Sequence, residues 1–270
     1  NGTLVSSGLA ELIERENDFF VGISIDGPED ITSQTRRFPD GRSAFADIMK
    51  GLDTLKRVRH RDGAVSVGAI AVLSRANVHR VLDVYDFCRG QGLALKLSPV
   101  FLSGRAGPDH AITPREFGDA LVCLFERWVN DPSPARVSNL REMLGNLLDE
   151  RPVGCNFAGS CGKRFVAIGP HGDIFPCGRF SNAPGFRLGN LFEGGGIGEA
   201  RRTRVAEALC RRRVASCDPC RFRAVCNGGC PHGAFSATGT ITARDPYCLS
   251  YRMAYGAMQG FVAEQARQAS

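Results

Sequence analysis

Three short, nearly continuous apolar runs stand out in the first half of the chain. They are FFVGISI (19–25), AVSVGAIAVL (64–73) and LALKLSPVF (93–101), each bounded by Gly, Asp or Pro. Apolar runs of this length are typical of strands that are buried on both faces. The pattern therefore predicts three central β-strands.

Between these runs, apolar residues recur at steps of three and four, the period of an amphipathic helix. One predicted helix begins after Ser43, whose side chain can cap it, and runs past Leu55. A second begins after Asn77, its predicted cap, and ends at Gly90 and Gly92. Strand and helix alternate in units of about 30 to 45 residues, which predicts parallel strands with right-handed crossovers.

In the rest of the chain, the pattern of apolar and turn residues predicts two more helices, one hairpin and a terminal helix. The two helices lie within 113–148, with Pro114 in the first turn of the first. The hairpin would join RFVAI to DIFPC through the turn GPHG. The terminal helix would extend from Cys248 to about Ala266. The predicted division is an α/β region, 1–150, and a turn-rich region, 151–270, with little core of its own.

Composition narrows the class of protein. A chain of 270 residues with 43% hydrophobic content buries a core without disulfide support. It shows no signal peptide and no apolar window of the length that spans a membrane. The net charge is +6, and the basic cluster between Arg201 and Arg213 lacks interleaved aromatic residues, so it is interpreted as a solvated helix face. We therefore expect a cytoplasmic protein with neither a membrane nor a nucleic-acid partner.

The cysteines provide the candidate chemistry. Eleven are present, an odd number that argues against a disulfide framework, and nine of them lie in the second region. Cys210 is interpreted as a buried small apolar residue. The other eight would complete two four-thiolate sites: Cys155, Cys161, Cys177, Cys217, Cys220, Cys226, Cys230 and Cys248.

Spacing alone leaves two kinds of metal site open. Zinc ribbons show two C-x2-C pairs, whereas here only Cys217 and Cys220 form such a pair. Irregular spacing is more common where an iron–sulfur cluster collects thiolates from separate loops. The spacing favours iron–sulfur clusters over zinc without excluding zinc.

A family resemblance strengthens the iron–sulfur interpretation. The order of Cys161, the GDIFPC segment ending at Cys177, the run CDPCRFRAVCNGGC (217–230) and Cys248 resembles the SPASM domain of radical S-adenosylmethionine enzymes. That domain carries two auxiliary [4Fe–4S] clusters. The resemblance covers about a third of the chain and includes an additional preceding cysteine, Cys155.

The resemblance implies an interleaved ligand assignment. One cluster would take Cys155, Cys161, Cys177 and Cys230. The other would take Cys217, Cys220, Cys226 and Cys248. The four closely spaced thiols of 217–230 would therefore serve two clusters.

The first region resembles the same family's partial (β/α)6 barrel, of which it would form strands 4 to 6. The segment VGISIDGP resembles the fourth strand. Ser24 and Arg36 match positions that in the family contact S-adenosylmethionine, through a hydroxyl hydrogen bond and a charge pair with its carboxylate. Asp26 is interpreted equally well as a turn former or a site residue.

The family's defining motif, C-x3-C-x2-C, is absent from these residues. It would precede Asn1, together with the first barrel strands, the S-adenosylmethionine-cleaving cluster and the means to start radical chemistry. We therefore expect a piece of a longer enzyme, or a split homologue whose partner supplies the radical. The resemblance implies hydrogen abstraction from a peptide side chain and a flavodoxin or ferredoxin as electron donor.

Short motifs bear on the substrate. Sulfatase maturases place a carboxylate directly after the third SPASM cysteine, whereas Gly178 follows Cys177 here. The motifs CGRF and GCPH, the latter containing His232, resemble maturases of ribosomal peptides, including those that form cyclophane crosslinks. A precursor-peptide maturase is the leading hypothesis. The alternatives are a sulfatase-maturing enzyme, a noncatalytic peptide-binding subunit and a zinc-stabilised module.

Overall fold

The structure is a computed structural model that describes residues 1–16, 20–60, 63–64, 66–102 and 106–268. It divides into two compact units, Asn1–Arg141 and Glu142–Ser270. Within the described residues, no helix has both the length and the apolarity needed to cross a membrane.

The first unit alternates helices and strands. Its strands are β1 (Val21–Ser24), β2 (Arg59–His60), β3 (Gly63–Ala64), β4 (Val67–Leu73) and β5 (Ala94–Pro99). Its helices are α1 (Ser7–Arg15), α2 (Glu29–Thr35), α3 (Phe45–Arg57), α4 (Val81–Gly90) and α5 (Pro114–Val129), and α6 (Ser138–Leu148) crosses into the second unit. Short 3-10 turns cover Val78–Arg80 and Pro108–His110.

The three predicted strands form one parallel sheet in the order β1-β4-β5, which confirms the predicted strand direction. Each strand is shorter than its apolar run: Phe20 lies outside β1 and is 95% exposed, and residues 19 and 65 lie outside the described part of the chain. Residues 63 and 64 belong to a separate β2–β3 hairpin.

The prediction that the strands are buried on both faces is wrong. Burial alternates along β4, where Ala69 and Ala71 are buried while Ile70 between them is 42% exposed. The register aligns Ile70 with Ser24 of β1 and with Lys96 of β5. Since paired residues of parallel strands point to the same side, one face of this sheet packs on the helices and the other is more open.

Helix α5 begins as the sequence predicts. The Thr113 hydroxyl accepts a hydrogen bond from the Glu116 amide at 3.1 Å, and the Thr113 amide donates one to the Glu116 carboxylate. These two bonds form a capping box, with Pro114 in the first turn. At α3, Ser43 Oγ accepts a hydrogen bond from the Phe45 amide, although the helix boundary falls at Ala44.

Asn77 does not cap α4, contrary to the prediction. A 3-10 turn separates the two, and α4 begins only at Val81. The Asn77 side chain instead accepts a hydrogen bond from the Ser74 amide at 2.8 Å and donates one to the Val72 carbonyl at 3.0 Å. It therefore closes the loop that follows β4.

A buried carboxylate joins α4 to the end of α5. Asp131 accepts a hydrogen bond from the Tyr85 hydroxyl at 2.7 Å and one from the Ser133 amide. Its side chain also pairs with Arg89 at 3.1 Å and Arg127 at 3.4 Å. The hydrogen bond from Tyr85, with these neighbours, holds the pKa of Asp131 below its usual value.

The second unit is built from short elements. Its strands β6 (Ala167–Ile168), β7 (Asp173–Phe175) and β8 (Gly189–Asn190) form an antiparallel sheet. Its helices are α7 (Gly196–Ala200), α8 (Arg204–Cys210), α9 (Arg223–Cys226), α10 (Pro231–Thr238) and α11 (Cys248–Gln268). The predicted hairpin and terminal helix are confirmed, while β8 is an addition that pairs with β7.

The second unit has more interior than its composition indicates. Two apolar clusters lie around the small sheet, one built on Phe175, Phe180 and Leu209 and another on Ile174 and Leu188. The prediction of little core is therefore wrong for the sheet and its neighbours, because sequence-distant aromatic and aliphatic residues converge there.

An aromatic cluster packs along α11. Tyr251 and Tyr255 lie one turn apart on the helix, and Phe157 meets both edge-on, with ring centroids at 5.2 and 5.8 Å. Phe222 stacks on Tyr255 at 5.5 Å. Since these rings come from three separate segments, they fix the terminal helix to the loops around the cysteines.

Candidate metal centres

The thiols of the second unit fall into two groups. Cys161 is buried, and its thiol interacts electrostatically with those of Cys230, Cys155, Cys177 and Cys210. Cys217 interacts in the same way with Cys248 and Cys220, and Cys226 interacts with Cys248 and Cys217. Apart from the additional Cys210, these groups match the two sets that the family resemblance implies; their role as ligands remains a prediction.

The second group surrounds a cavity. Cys217, Cys220, Cys226 and Cys248 all line one space of about 380 Å³. Its volume is that of about a dozen water molecules. These thiols come from the segment around α9 and from the first residue of α11, so the fold brings together residues that are 31 positions apart in the sequence, from 217 to 248.

Among the described residues, no group of three or more His, Cys, Asp or Glu side chains is arranged around a single ion position. In the same part of the chain, no disulfide forms at Cys161, Cys177, Cys217, Cys220, Cys226, Cys230 or Cys248. Thiols arranged around a space fit a cluster of several irons, whose ligands bind at its corners.

Burial alters the acidity of these thiols. It raises the pKa of Cys161 to about 12, to which the neighbouring thiols add, and it raises the pKa of Cys226 to about 12. Such thiols are neutral at physiological pH unless a cation stabilises the thiolate. Iron would supply that charge, since metal binding deprotonates its thiol ligands.

Arg212 organises the loop between the two groups. Its guanidinium donates hydrogen bonds to the carbonyls of Gly229 at 2.7 Å, Ala243 at 2.8 Å and Gly228 at 3.1 Å, and also to that of Ile241. Gly228 and Gly229 lie between Cys226 and Cys230, which belong to different thiol groups. The interpretation of this basic run as a solvated face is therefore wrong for Arg212.

Asp245 holds the same loop from the other side. Its buried carboxylate accepts hydrogen bonds from the Cys230 amide and the Tyr247 amide, both at 2.8 Å. Burial raises the pKa of Asp245. Sequence reasoning missed Asp245 and Arg212, because apart from Tyr247 their hydrogen-bond partners lie 15 to 31 residues away. The position of Asp245 three residues before Cys248 is the available signal.

Three further residues lie near the first group. Cys210, the cysteine left outside the predicted ligand sets, ends α8 and donates from its sulfur to the Cys161 carbonyl at 3.7 Å. His232 is half-buried in α10, with its ring edge-on to Phe180 at 5.0 Å. Arg179 Nη1 donates to Cys230 Sγ at 3.7 Å, which places a cation beside that thiol.

The predicted S-adenosylmethionine residues lie at the ends of two successive elements, β1 and α2. Ser24 is the last residue of β1, on the more open face of the sheet, and its amide donates to the Asn1 carbonyl at 3.4 Å. Arg36 follows α2 and pairs with the buried Asp26 at 2.8 Å. Within the described residues, Arg36 Nε is buried with no hydrogen-bond partner. Asp26 also accepts a hydrogen bond from the Val72 amide, so it acts as an anchor rather than only a turn former.

That buried donor is compatible with an anionic ligand. A buried guanidinium nitrogen without an acceptor is rare in proteins. A carboxylate such as that of S-adenosylmethionine would satisfy it, and the Arg36–Asp26 pair already fixes the side chain. The role of Ser24 and Arg36 in binding the cofactor remains a prediction.

Comparison with known proteins identifies several relatives. A serine-type anaerobic sulfatase-maturating enzyme from Bacteroides thetaiotaomicron is 27% identical over 260 residues, covering 88% of this chain and 61% of the relative. A cysteine-type enzyme from Clostridium perfringens is 23% identical, covering 93% and 68%. A PqqA peptide cyclase from Xanthomonas oryzae is 28% identical over 236 residues, covering 82% and 57%. No protein-family model matches the chain.

Solved structures share the fold. The native anSMEcpe structure with bound AdoMet has a TM-score of 0.83 at 21% identity and covers 100% of this chain and 74% of that chain. Streptococcus suis SuiB bound to S-adenosylmethionine has a TM-score of 0.62 at 14% identity, covering 92% and 58%. This chain thus has the mixed α/β fold of these proteins and spans about three fifths of the Bacteroides relative.

Proposed function

This chain is a relative of the radical S-adenosylmethionine maturases, and on that premise we propose that it is the cluster-bearing part of an enzyme that modifies side chains of a ribosomally made precursor peptide. The main support is the arrangement of eight cysteines in two groups, of which one surrounds a cavity. Relatives named as sulfatase-maturating enzymes and a peptide cyclase support a polypeptide substrate.

The two thiol groups would each hold a [4Fe–4S] cluster. Cys155, Cys161, Cys177 and Cys230 would bind one, and Cys217, Cys220, Cys226 and Cys248 the other. Arg212 and Asp245 would fix the Cys226–Cys230 loop, which contributes a ligand to each set. These clusters would relay electrons during turnover.

Ser24 and Arg36 would orient S-adenosylmethionine in the first unit. The Ser24 hydroxyl lies at a strand end, and the Arg36 guanidinium, held by Asp26, would pair with the cofactor carboxylate. When bound together with a third, reduced cluster from outside this chain, S-adenosylmethionine would supply the radical that removes a hydrogen atom from the substrate. The chain's own residues would bind, orient and shield it.

A peptide crosslink is the proposed outcome. Gly178 occupies the position after Cys177, where the sulfatase-maturase pattern requires a carboxylate base. Asp173 is engaged elsewhere, because it pairs with Arg187 at 2.6 Å and accepts a hydrogen bond from Asn190. Sulfatase maturation remains the second candidate because several relatives carry that name. A flavodoxin or ferredoxin would donate electrons.

Iron counting tests the cluster assignment. The chain is reconstituted anaerobically with iron and sulfide, and we expect about eight irons and a brown protein. Cys161→Ala and Cys226→Ala should each reduce the iron content to about half, because each removes a ligand from a different set. Cys123→Ala is the matched control, since Cys123 is an exposed cysteine of α5 and should retain about eight.

Two results would contradict the assignment. A colourless protein with about two zinc ions would instead support a zinc-stabilised module. If Cys161→Ala and Cys226→Ala left the iron content unchanged, the ligand sets would be wrong.

Activity separates the remaining candidates. The chain, joined to a segment carrying C-x3-C-x2-C, is incubated with S-adenosylmethionine, reductant and the candidate peptide, and the products are analysed by mass spectrometry. Loss of two hydrogens with a new side-chain crosslink supports the proposal. A formylglycine product would support the sulfatase-maturing alternative. A peptide that binds tightly but is not modified would support a noncatalytic subunit.

A further inference from the structure

The cavity of the second thiol group has a strongly positive lining. Four arginines, Arg221, Arg223, Arg244 and Arg252, contribute to it, and its described lining includes no Asp or Glu. All four are exposed to solvent. Among the described residues, Asp218 pairs with one of the four, Arg223, at 3.2 Å. The rim therefore carries a substantial excess of positive charge.

The arginines are held by separate parts of the unit. The Arg221 guanidinium packs over the Phe222 ring at 4.6 Å, Arg244 precedes the buried Asp245, and Arg252 lies one turn into α11. Arg244 and Arg252 both interact electrostatically with the Cys248 thiol. The positive charge thus surrounds the thiol group on more than one side.

The charge exceeds what a bound cluster needs. A cubane cluster held by four thiolates carries a net charge of about −2 when oxidised and one more negative charge when reduced. The four arginines and Asp218, the partner of Arg223, sum to about +3, so the rim and the cluster together stay positive while the cluster is oxidised and are close to neutral once it is reduced. Neutralisation of the oxidised cluster, the state that accepts an electron, therefore does not account for all of the arginines. The excess faces solvent, where it acts on an approaching anionic partner.

We propose that this arginine rim is the docking surface for an acidic redox protein that exchanges electrons with the second cluster. The inference rests on the proposed function, because it requires iron at Cys217, Cys220, Cys226 and Cys248. The cluster would be held among these four thiols, and the exposed guanidinium groups would remain as the surface that a partner meets. A protein with carboxylates around its own redox centre complements that ring of charge.

The partner class follows from the position of the charge. Exposed arginines on separate segments around a redox-active group suit a broad acidic face, on which each carboxylate meets a guanidinium. Such rims act mainly by steering encounter, so their effect is strongest at low ionic strength. The surface therefore predicts binding that weakens steeply as salt is added.

Binding of an acidic flavodoxin to the reconstituted chain tests the proposal. We expect the double variant Arg221→Glu/Arg252→Glu to weaken its Kd about 10-fold or more at low ionic strength, and to flatten its salt dependence. Stopped-flow reduction of the cluster by the reduced flavodoxin should slow in parallel. Arg201→Glu/Arg202→Glu is the matched control, because these two arginines are also exposed in the second unit but lie outside the cavity lining.

The variants must first be compared in iron content and visible spectrum. Unchanged affinity in the Arg221/Arg252 variant with full iron content would overturn the docking surface, as would equal weakening in the Arg201/Arg202 control. Absence of any flavodoxin binding to an iron-loaded wild-type chain would also overturn it. Failure of the wild-type chain to bind iron would instead contradict the proposed function. If phosphate bound to the rim and flavodoxin did not, the rim would be a site for a small anion. That result would overturn the proposal of a protein partner.

Discussion

At the scale of single residues, Arg212 connects the two thiol groups through backbone hydrogen bonds. The carbonyls that it binds belong to loops without regular secondary structure. The Gly228 carbonyl also accepts a hydrogen bond from the Asp245 amide, whereas the carbonyls of Gly229 and Ala243 accept theirs from Arg212. Loss of a partner leaves such acceptors unsatisfied at a cost greater than that of an average hydrogen bond.

We therefore expect Arg212→Met to lower the free energy of unfolding by about 2–4 kcal/mol. It should also reduce iron binding at both thiol groups, because Gly228 and Gly229 lie between their ligands. Urea unfolding followed by circular dichroism measures the first effect, and iron assay the second. Arg211→Met is the matched control at an exposed neighbouring position. An equal loss of stability and iron in Arg211→Met would contradict the role assigned to Arg212.

Asp131 gives a pH-dependent prediction. The pKa of Asp131 is lower in the folded chain than in the unfolded one. The ionised carboxylate therefore stabilises the folded chain fully above the unfolded pKa of about 3.9, and this stabilisation is lost as the pH falls through the folded pKa. Asp131→Asn should lower the urea midpoint at pH 7, and the difference from wild type should shrink as the solution is acidified below about pH 4. Asp86→Asn, which alters an exposed pair with Arg127, is the control with little effect. A constant difference between Asp131→Asn and wild type at every pH would contradict this account.

At the scale of elements, the turn between α9 and α10 requires two successive glycines. Gly228 and Gly229 have φ values of +77° and +74°, a left-handed conformation that other residues adopt only with strain. A Cβ at Gly229 would also lie 2.5 Å from the Asp245 Cβ. The turn that separates Cys226 from Cys230, which belong to different thiol groups, therefore strongly favours glycine at that position.

Gly229→Ala and Gly239→Ala form a matched pair. Gly239 has nearly the same φ, +75°, but an added Cβ there would meet no atom within 4 Å. We expect Gly239→Ala to cost about 1 kcal/mol from strain alone, and Gly229→Ala about 2–4 kcal/mol, with a loss of iron. Urea unfolding of both variants measures the difference. Equal destabilisation of the two variants would show that Asp245 moves away from the added Cβ at no energetic cost.

Elements with local signals are predictable from sequence, and those fixed by distant partners are not. The start of α5 is encoded within four residues by Thr113 and Glu116, so the sequence predicts it correctly. Asn77 carries the same kind of cap signal, but its side chain binds back to the loop after β4 and an extra turn displaces the helix. The alternation of burial in β4 likewise depends on which elements cover each face of the sheet, and an apolar run in the sequence does not indicate this.

At the scale of the whole molecule, the two units have different sources of stability. The first unit combines a parallel sheet with amphipathic helices, whose apolar periodicity is visible in the sequence. The second combines small apolar clusters with buried thiols, and the assignment of those thiols to two sets required a family resemblance. The spacing of the cysteines alone does not distinguish zinc sites from iron–sulfur clusters, because it does not show which loops come together in the fold.

Metal removal should therefore affect the units unequally. After anaerobic chelation of the reconstituted chain, we expect amides of Glu142–Ser270 to lose hydrogen-exchange protection while those of β4 and β5 retain most of theirs. Hydrogen exchange with mass spectrometry measures this by segment. Cys123→Ala provides a loaded control with an unaltered metal content. Equal loss of protection in both units, or none in the second, would show that iron contributes little specific stability.

The position of Cys248 at the start of the terminal helix has a consequence for biogenesis. During synthesis, the thiols of one set are all available once residue 230 has left the ribosome, whereas the other set waits for residue 248. Iron delivery would then follow the order of translation, and a chain stopped between these two points would carry one complete centre and one deprived of its closing thiol.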